Sequence, residues 1–125
     1  MIPKTIKKRA TFVDVSRNGF PVRTRGVVSI CKATNDEVSL VGYTASRKVG
    51  NSVLRNYARR RLRALVREFS SEFVPGCMYV FIATRHTVGL KFSDLRSDFA
   101  YSLLKAKENE LRDDRKVVNS TSKIL

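Results

Sequence analysis

A basic and apolar segment at residues 46–69, SRKVGNSVLRNYARRRLRALVREF, constrains the fold more than any other part of the chain. Between Arg47 and Arg67 it carries eight Lys and Arg residues and no Asp or Glu. Its apolar residues recur at helical spacing, which predicts a helix with Asn51 or Ser52 as N-cap and an end near Ser70. The predicted core stripe of this helix is Leu54, Ala58, Leu62, Leu65 and Phe69.

Strand patterns lie on both sides of this helix. Residues 37–46 alternate as a strand, and residues 77–84 form a nearly continuous apolar run, which is typical of a strand covered on both faces. A strand, a helix and a second strand in this order predict a parallel pair. Residues 23–34 are also β-rich, and we expect them to form a hairpin with 37–46, preceded by or merged with a short strand at 21–25.

Two further helices are predicted near the ends of the chain. The first covers residues 10–19, with Phe12 on its buried face and an Asn18-Gly19 stop in the left-handed conformation. Ser93 is the expected cap of the last helix, whose buried stripe is Leu95, Phe99, Leu103 and Ala106. The predicted fold is therefore an α/β sandwich of the α+β class, with about four strands in the order α-β-β-β-α-β-α.

The predicted domain covers residues 1–108, a size that suits one modest core. We expect residues 1–9 to be a mobile basic arm and residues 109–125 to be a polar, flexible tail. No apolar run reaches the 18 or more residues of a membrane-spanning helix, and the N-terminus has no secretory h-region. The expected location is therefore the cytoplasm.

The charge of the chain predicts a partner of high negative charge density. With 25 Lys and Arg against 11 Asp and Glu, the formal net charge is +14. Nucleic acid is the leading candidate, because neutralising phosphates releases condensed counterions. An anionic membrane surface is the second, although that interpretation requires an exposed apolar helix face.

Groups for protein-based catalysis or metal binding are scarce. Cys31, Cys77 and His86 cannot fill a four-ligand zinc site, and we expect both cysteines to be buried free thiols. There is no paired acidic cluster, no plausible Ser-His-Asp set and no phosphate-binding Gly motif. The sequence thus predicts no catalytic and no metal-binding residue in this chain.

The arginines of the long helix fall into two rows. Arg55, Arg59 and Arg63 form one, and Asn56, Arg60, Arg63 and Arg67 form the adjoining one. Like charges at this spacing destabilise a helix, so a negative charge must come from outside, and the planar guanidinium suits phosphate. The alternative to a phosphate-binding helix is an arginine-rich face that is simply solvated.

These residues resemble the signature of the protein subunit of bacterial ribonuclease P: a strand, two basic residues, Gly-Asn, and then an arginine-rich helix. RATFVDVSRNG and LKFSDLRSDF resemble the first helix of that family and the entry to its last one, so the resemblance covers about residues 4–107. It implies a fold like a ribosomal protein domain with a left-handed βαβ crossover. It also implies a protein that assists a catalytic RNA in removing the 5′ leader of precursor tRNA, with Mg²⁺ held by the RNA.

The resemblance also assigns roles to residues. The positions expected to contact the catalytic RNA are Arg47, Lys48, Asn51, Arg55, Asn56, Arg59, Arg60 and Arg63, to which Arg67 is added on the same face. Phe12 matches the aromatic residue of a cleft that holds the leader, and Tyr57 is assigned to that cleft as well. Tyr57 departs from the family, which usually has a second arginine there, and Ser16 replaces a second cleft phenylalanine.

Three functions are compared on this basis. The favoured one is the protein component of bacterial ribonuclease P, which binds its RNA and precursor tRNA and has no obligate protein partner. A general nucleic-acid-binding module, such as one associated with the ribosome, is the alternative from another class. A stand-alone nuclease is disfavoured by the missing acidic and histidine groups.

Overall fold

The computed structural model describes residues 3–34 and 37–124, with side chains up to Glu110. The elements in chain order are β1 (Lys4–Thr5), α1 (Arg9–Asn18), β2 (Phe20–Arg23), β3 (Val27–Ala33), β4 (Leu40–Ala45), α2 (Ser52–Glu68), a 3₁₀ turn (Ser70–Glu72), β5 (Cys77–Ala83) and α3 (Phe92–Ile124). The α+β class predicted from the sequence is confirmed.

A single mixed sheet has the strand order β1-β4-β5-β3-β2. β5 lies at its centre, parallel to β4 and antiparallel to β3. The predicted strand–helix–strand unit is therefore confirmed as β4-α2-β5, whereas the left-handed crossover remains an expectation from the resemblance. The residues Met78–Phe81 of β5 are all buried, in agreement with the prediction of a strand covered on both faces.

The predicted hairpin between residues 23–34 and 37–46 is wrong, because β5 lies between β3 and β4. β3 forms its hairpin with β2 instead, through a turn in which Thr24 N and Thr24 Oγ1 donate to Val27 O over 3.0 and 2.7 Å. The central position requires the most apolar strand, since that strand has no edge and no open face. Residues 77–83 meet this requirement better than either neighbour.

The segment predicted to be a mobile arm supplies a fifth strand. β1 pairs in parallel with β4, with Lys4 opposite Leu40, and Ile6 N donates to Val41 O over 2.9 Å. Two polar residues have no strand pattern of their own, so the expected number of about four strands was one too low. Backbone pairing with β4 determines this strand.

Two apolar clusters lie on opposite faces of the sheet. The larger one joins α2 and α3 to one face, and the smaller one joins α1 to the other. In α2 the predicted stripe is fully buried at Ala58, Leu62 and Leu65, but Leu54 is 39% exposed in the first turn. In α3 the predicted stripe is buried throughout, at Leu95, Phe99, Leu103 and Ala106.

The end of α1 and the start of α3 differ from the prediction, since the predicted cap Ser93 lies inside α3. Gly19 ends α1 with φ −86° and ψ 169°, so the predicted left-handed stop is wrong. α3 begins at Phe92 and its backbone continues to Ile124, beyond the predicted end near residue 108. Glu110 accepts a hydrogen bond from Ala33 N over 2.7 Å, which holds this part of α3 against the end of β3. The side chains of residues 111–125 lie outside the described residues, so the boundary at 108 and the flexible tail stay predictions.

Cys31 and Cys77 are not joined by a disulfide, in agreement with the prediction of thiols. Cys31 is buried, as predicted, while Cys77 on the neighbouring strand is only partly buried. A hydrogen bond with Cys77 and then burial raise the pKa of the Cys31 thiol, so the reactive thiolate is suppressed. Within the described residues, no helix is long and apolar enough to cross a membrane.

Candidate nucleic-acid interface

The turn between β4 and α2 positions the first basic residues of the site. Asn51 Oδ1 accepts from Leu54 N over 3.0 Å, so Asn51 is the N-cap. Gly50 has φ +140°, and a Cβ there would lie 2.6 Å from Leu54 Cδ1, so glycine is required for both reasons. Arg47 and Lys48 are exposed in this turn, beside the positive end of the helix dipole.

The helix that follows presents an exposed row of basic and polar residues. Asn56, Arg60, Arg63 and Arg67 are exposed, while Arg55 and Arg59 are partly buried at one flank. Arg59 Nη1 donates to Asn56 Oδ1 over 2.9 Å, which orients both side chains on the surface. We define the basic face as Arg47, Lys48, Asn51, Arg55, Asn56, Arg59, Arg60, Arg63 and Arg67.

The basic face has no acidic partner in the part of the chain that the structure describes. The four ion pairs found there join Lys32 to Asp14, Arg96 to Glu68, Lys105 to Glu108 and Lys107 to Glu72. Every arginine of the basic face is thus left for an external anion. Its charge repulsion along α2 is relieved only by water, salt or a bound polyanion.

Tyr43 of β4 supports the flank of the basic face. The guanidinium carbon of Arg63 lies 5.6 Å from the centre of the Tyr43 ring, at cation–π distance. Burial raises the pKa of Tyr43 to about 12, although the charges of Arg63 and Arg67 act in the opposite direction. The tyrosine therefore stays neutral at physiological pH and holds Arg63 by its ring face.

Arg61 belongs to the same basic run but not to the basic face. It is only 8% exposed, and its guanidinium donates to Thr87 O over 2.5 Å and to Leu90 O over 2.7 Å. It ties the loop between β5 and α3 to the middle of α2. One of the eight basic residues counted in the sequence is thus structural. Its position three residues after Ala58 and four before Leu65 places it beside the core stripe, which is the signal within the run that distinguishes it from its neighbours.

Phe12 lies on the opposite side of the sheet from α2. It is partly buried against the smaller cluster, which includes Val15, Ile30 and Val80. Gly42 of β4 leaves room for it, since a Cβ at Gly42 would lie 3.0 Å from Phe12 Cδ2. Ser16, one turn later, has a buried hydroxyl with no hydrogen-bond partner among the described residues. A single aromatic ring therefore stands where two were expected from the resemblance.

The structure does not bring Tyr57 together with Phe12. Tyr57 lies on α2, which packs on the other face of the sheet, and its ring adjoins the guanidinium of Arg61 at 5.5 Å. The part of the motif that reaches the Phe12 side of the sheet is the turn before α2, whose Ser46 and Lys48 line a depression there, nine positions or more before Tyr57.

A basic depression of about 640 Å³ opens at the end of the sheet, between β2, β3, β5 and the turn before α2. Val28 and Ile82 line it, and both belong to the face on which Phe12 packs. None of its described lining residues is acidic, and its charged or titratable ones are Arg23, Arg25, Lys48, Arg85 and His86.

Sequence reasoning missed four of these residues, namely Arg23, Arg25, Arg85 and His86. They come from the end of β2 with the loop after it and from the loop after β5, about 60 positions apart, and only the pairing of β3 with β5 brings these segments together. A basic residue directly after a predicted strand is a signal for Arg85, whereas Arg23 and Arg25 lie within predicted strands. Lys48 also belongs to the basic face, so the two surfaces are continuous.

Metal-ligating groups are dispersed. No three His, Cys, Asp or Glu residues among those described lie close enough together to hold a metal ion. The site can therefore bind and orient an anionic polymer, but it offers no described cluster for metal-assisted cleavage.

Comparisons with known proteins all indicate one protein family. A family model described as Ribonuclease P matches residues 3–107. The ribonuclease P protein component of Gluconacetobacter diazotrophicus is 38% identical over 103 residues, covering 81% of this chain and 89% of that protein. That of Shouchella clausii is 35% identical over 104 residues, covering 82% and 84%. The solved ribonuclease P protein of Staphylococcus aureus is 26% identical with a TM-score of 0.72, covering 82% of this chain and 94% of that one.

Proposed function

The chain belongs to the ribonuclease P protein family, and we propose that its basic face binds the catalytic RNA of that enzyme. The protein is thus a component of ribonuclease P, which processes the 5′ ends of tRNA. The observation that carries the proposal is the basic face itself, in which nine residues on one turn and one helix have no described acidic partner.

The phosphates of RNA supply negative charge, which the described residues do not offer to the basic face. Guanidinium groups bind phosphate oxygens through two parallel hydrogen bonds, and Arg63 is already positioned by Tyr43. The N-cap turn adds Arg47, Lys48 and Asn51 near the helix N-terminus, where an anion is favoured. Binding of this kind weakens as salt rises, because each phosphate contact releases counterions.

We further propose that the 5′ leader of precursor tRNA lies on the Phe12 side of the sheet and enters the basic depression. Phe12 offers a partly exposed ring on which an unpaired base can stack, and stacking tolerates any base sequence. Arg23, Arg25 and Arg85 offer charge for the leader phosphates. Tyr57 is not part of this path, because it lies with α2 on the other face of the sheet.

The chemistry is assigned to the RNA. Metal ions can stabilise the attacking and leaving oxygens of phosphodiester hydrolysis. We propose that the RNA holds Mg²⁺ for this step, as the family resemblance implies, and the described side chains form no ligand cluster. The protein's part is to hold the RNA and the leader in register and to screen their mutual repulsion. Its proposed location is the bacterial cytoplasm, where tRNA is made.

Reconstitution tests this function directly. The full chain is combined with a bacterial ribonuclease P RNA at low Mg²⁺, and release of the 5′ leader from precursor tRNA is followed. We expect cleavage with both components and none with the protein alone. Failure to restore 5′ processing would favour the general nucleic-acid-binding module, and cleavage without RNA would favour a nuclease.

A further inference from the structure

Tyr57 is a half-exposed aromatic ring with a guanidinium group against it. The guanidinium carbon of Arg61 lies over its ring at 5.5 Å from the centre, yet the residue remains 45% exposed. An exposed tyrosine is unremarkable alone, but this ring stands inside an acid-free arginine run. Neither RNA phosphate binding by the basic face nor the leader path uses it.

The group behind the ring is rigid. Arg61 is buried, holds two backbone carbonyl groups, and lies between two rings, since Phe92 of α3 is 5.6 Å from the same guanidinium carbon. The guanidinium carbon of Arg96 lies 5.0 Å from the centre of the Phe92 ring, and Arg96 pairs with Glu68. This series of contacts therefore joins α3 to α2. A tyrosine that packs against a rigid arginine has few rotamers to lose on binding, which lowers the entropic cost of binding.

The surroundings of the ring suit a nucleotide. Arg60, three positions along α2, is exposed and lies on the adjacent side of the helix, within the usual distance of side chains at this spacing. Val53, four positions earlier, is 72% exposed and extends the apolar surface beside the ring. Phosphate at Arg60 and a base at Tyr57 would thus use neighbouring side chains.

We propose that Tyr57 is a stacking site for an unpaired nucleobase of the RNA that the basic face binds, on the flank of α2 that faces α3. This inference rests on the proposed function and adds a base contact to what are otherwise phosphate contacts. An aromatic ring with no charge cannot neutralise phosphate, whereas every base has a flat face that can stack on it. Charge complementarity across Arg60 and continuity with the basic face select RNA as the occupant.

Stacking and phosphate contacts differ in their response to salt, which provides the test. Binding of the full chain to a bacterial ribonuclease P RNA is measured over a range of salt concentrations for Tyr57→Ala, Tyr57→Leu and Tyr57→Phe. We expect Ala and Leu to weaken binding roughly 5- to 100-fold with an unchanged log–log salt slope, and Phe to bind like the wild type. A perfectly paired RNA duplex should bind all four proteins equally.

Tyr101 is the matched control, because it is a tyrosine of similar exposure, 55%, on α3. Tyr101→Ala should leave binding unchanged, and thermal unfolding verifies that every variant is folded. Wild-type affinity of Tyr57→Leu would overturn the inference, as would equal losses for Phe and Ala, which would indicate a hydroxyl contact. Weaker binding of Tyr57→Ala or Tyr57→Leu to the paired duplex would also contradict a contact with an unpaired base.

Arg60→Ala separates this inference from the function on which it rests. If Arg60→Ala lowers the salt slope while Tyr57→Ala leaves affinity unchanged, the base contact is wrong and the RNA-binding face stands. If Tyr57→Ala leaves the affinity unchanged and Arg60→Ala leaves the salt slope unchanged, the proposed RNA-binding function itself fails.

Discussion

Arg60 and Arg61 are neighbours in the chain with opposite surroundings. Arg60 is exposed on the basic face, while Arg61 is buried and donates to the carbonyl oxygens of Thr87 and Leu90. The 100° turn between successive helical residues is enough to move a guanidinium from water to the space between α2 and α3. Residue type alone therefore does not assign a role within this run.

These two residues should separate stability from RNA binding. Arg61→Met retains much of the side-chain volume but leaves two carbonyl groups without their donor, so we expect the free energy of unfolding to fall by about 1–3 kcal/mol. Arg60→Ala should change it by less than about 0.5 kcal/mol but lower the log–log salt slope of RNA binding by roughly 0.7–0.9. Denaturant unfolding and salt-dependent binding measure both, and a stable Arg61→Met protein would contradict the structural role.

At the scale of elements, the joint between α1 and β3 depends on the absence of a side chain at Gly19. A Cβ there would lie 2.6 Å from Ile30 Cγ2 and 2.8 Å from Cys31 O. The backbone of Gly19 is extended, so the reason for glycine is close packing and not an unusual torsion angle. This packing sets the angle at which α1 carries Phe12 across the sheet.

Gly19→Ala should therefore force α1 and β3 apart. Overpacking of this kind costs about 1–3 kcal/mol, which would appear as a lower midpoint of thermal or denaturant unfolding. Gly89 is the matched control, because a Cβ there meets no atom within 4 Å. Gly89→Ala should leave stability nearly unchanged, and an equal loss from both substitutions would refute the packing explanation.

At the scale of the whole molecule, the sheet separates two surfaces to which the proposed function assigns different tasks. α2 and α3 cover one face and carry the basic face and Tyr57, while Phe12 and the lining residues Val28 and Ile82 lie on the other. The turn before α2 joins them, since Lys48 belongs to both the basic face and the basic depression. Under the proposed function, one small domain would thus hold the catalytic RNA and a substrate strand at the same time.

The aromatic ring of Phe12 should contribute to the binding of only those substrates that carry a leader. With the reconstituted enzyme, Phe12→Leu preserves apolar packing and removes the stacking ring, so we expect affinity for precursor tRNA to fall roughly 5-fold or more. Affinity for mature tRNA should change little. Phe20→Ala is the control, because Phe20 pairs opposite Cys31, whose side chain belongs to the cluster on the other face. Equal losses for both tRNAs would place the leader elsewhere.

Local patterns predicted the elements well and their arrangement less well. The N-cap Asn51, the stripe of α2 at Ala58, Leu62 and Leu65 and the covered strand β5 follow from spacing within a few residues, and the structure confirms them. The predicted hairpin of β3 and β4 was wrong because strand pairing is not a local property. β1 was missed for the same reason, since two residues carry no periodicity and only β4 gives them a partner.

The sequence by itself determined that this chain carries an amphipathic helix with no acidic residue between Arg47 and Arg67, which indicated a nucleic-acid partner, and the family resemblance narrowed that partner to RNA. Only the tertiary structure decided which of its arginines meet water and which meet acceptors of the protein. The acceptors that hold Arg61 lie 26 and 29 positions away, on a loop that meets α2 only after β5 has entered the sheet. Helical spacing specifies the direction in which a side chain leaves its helix, but what it meets there depends on how distant parts of the chain pack.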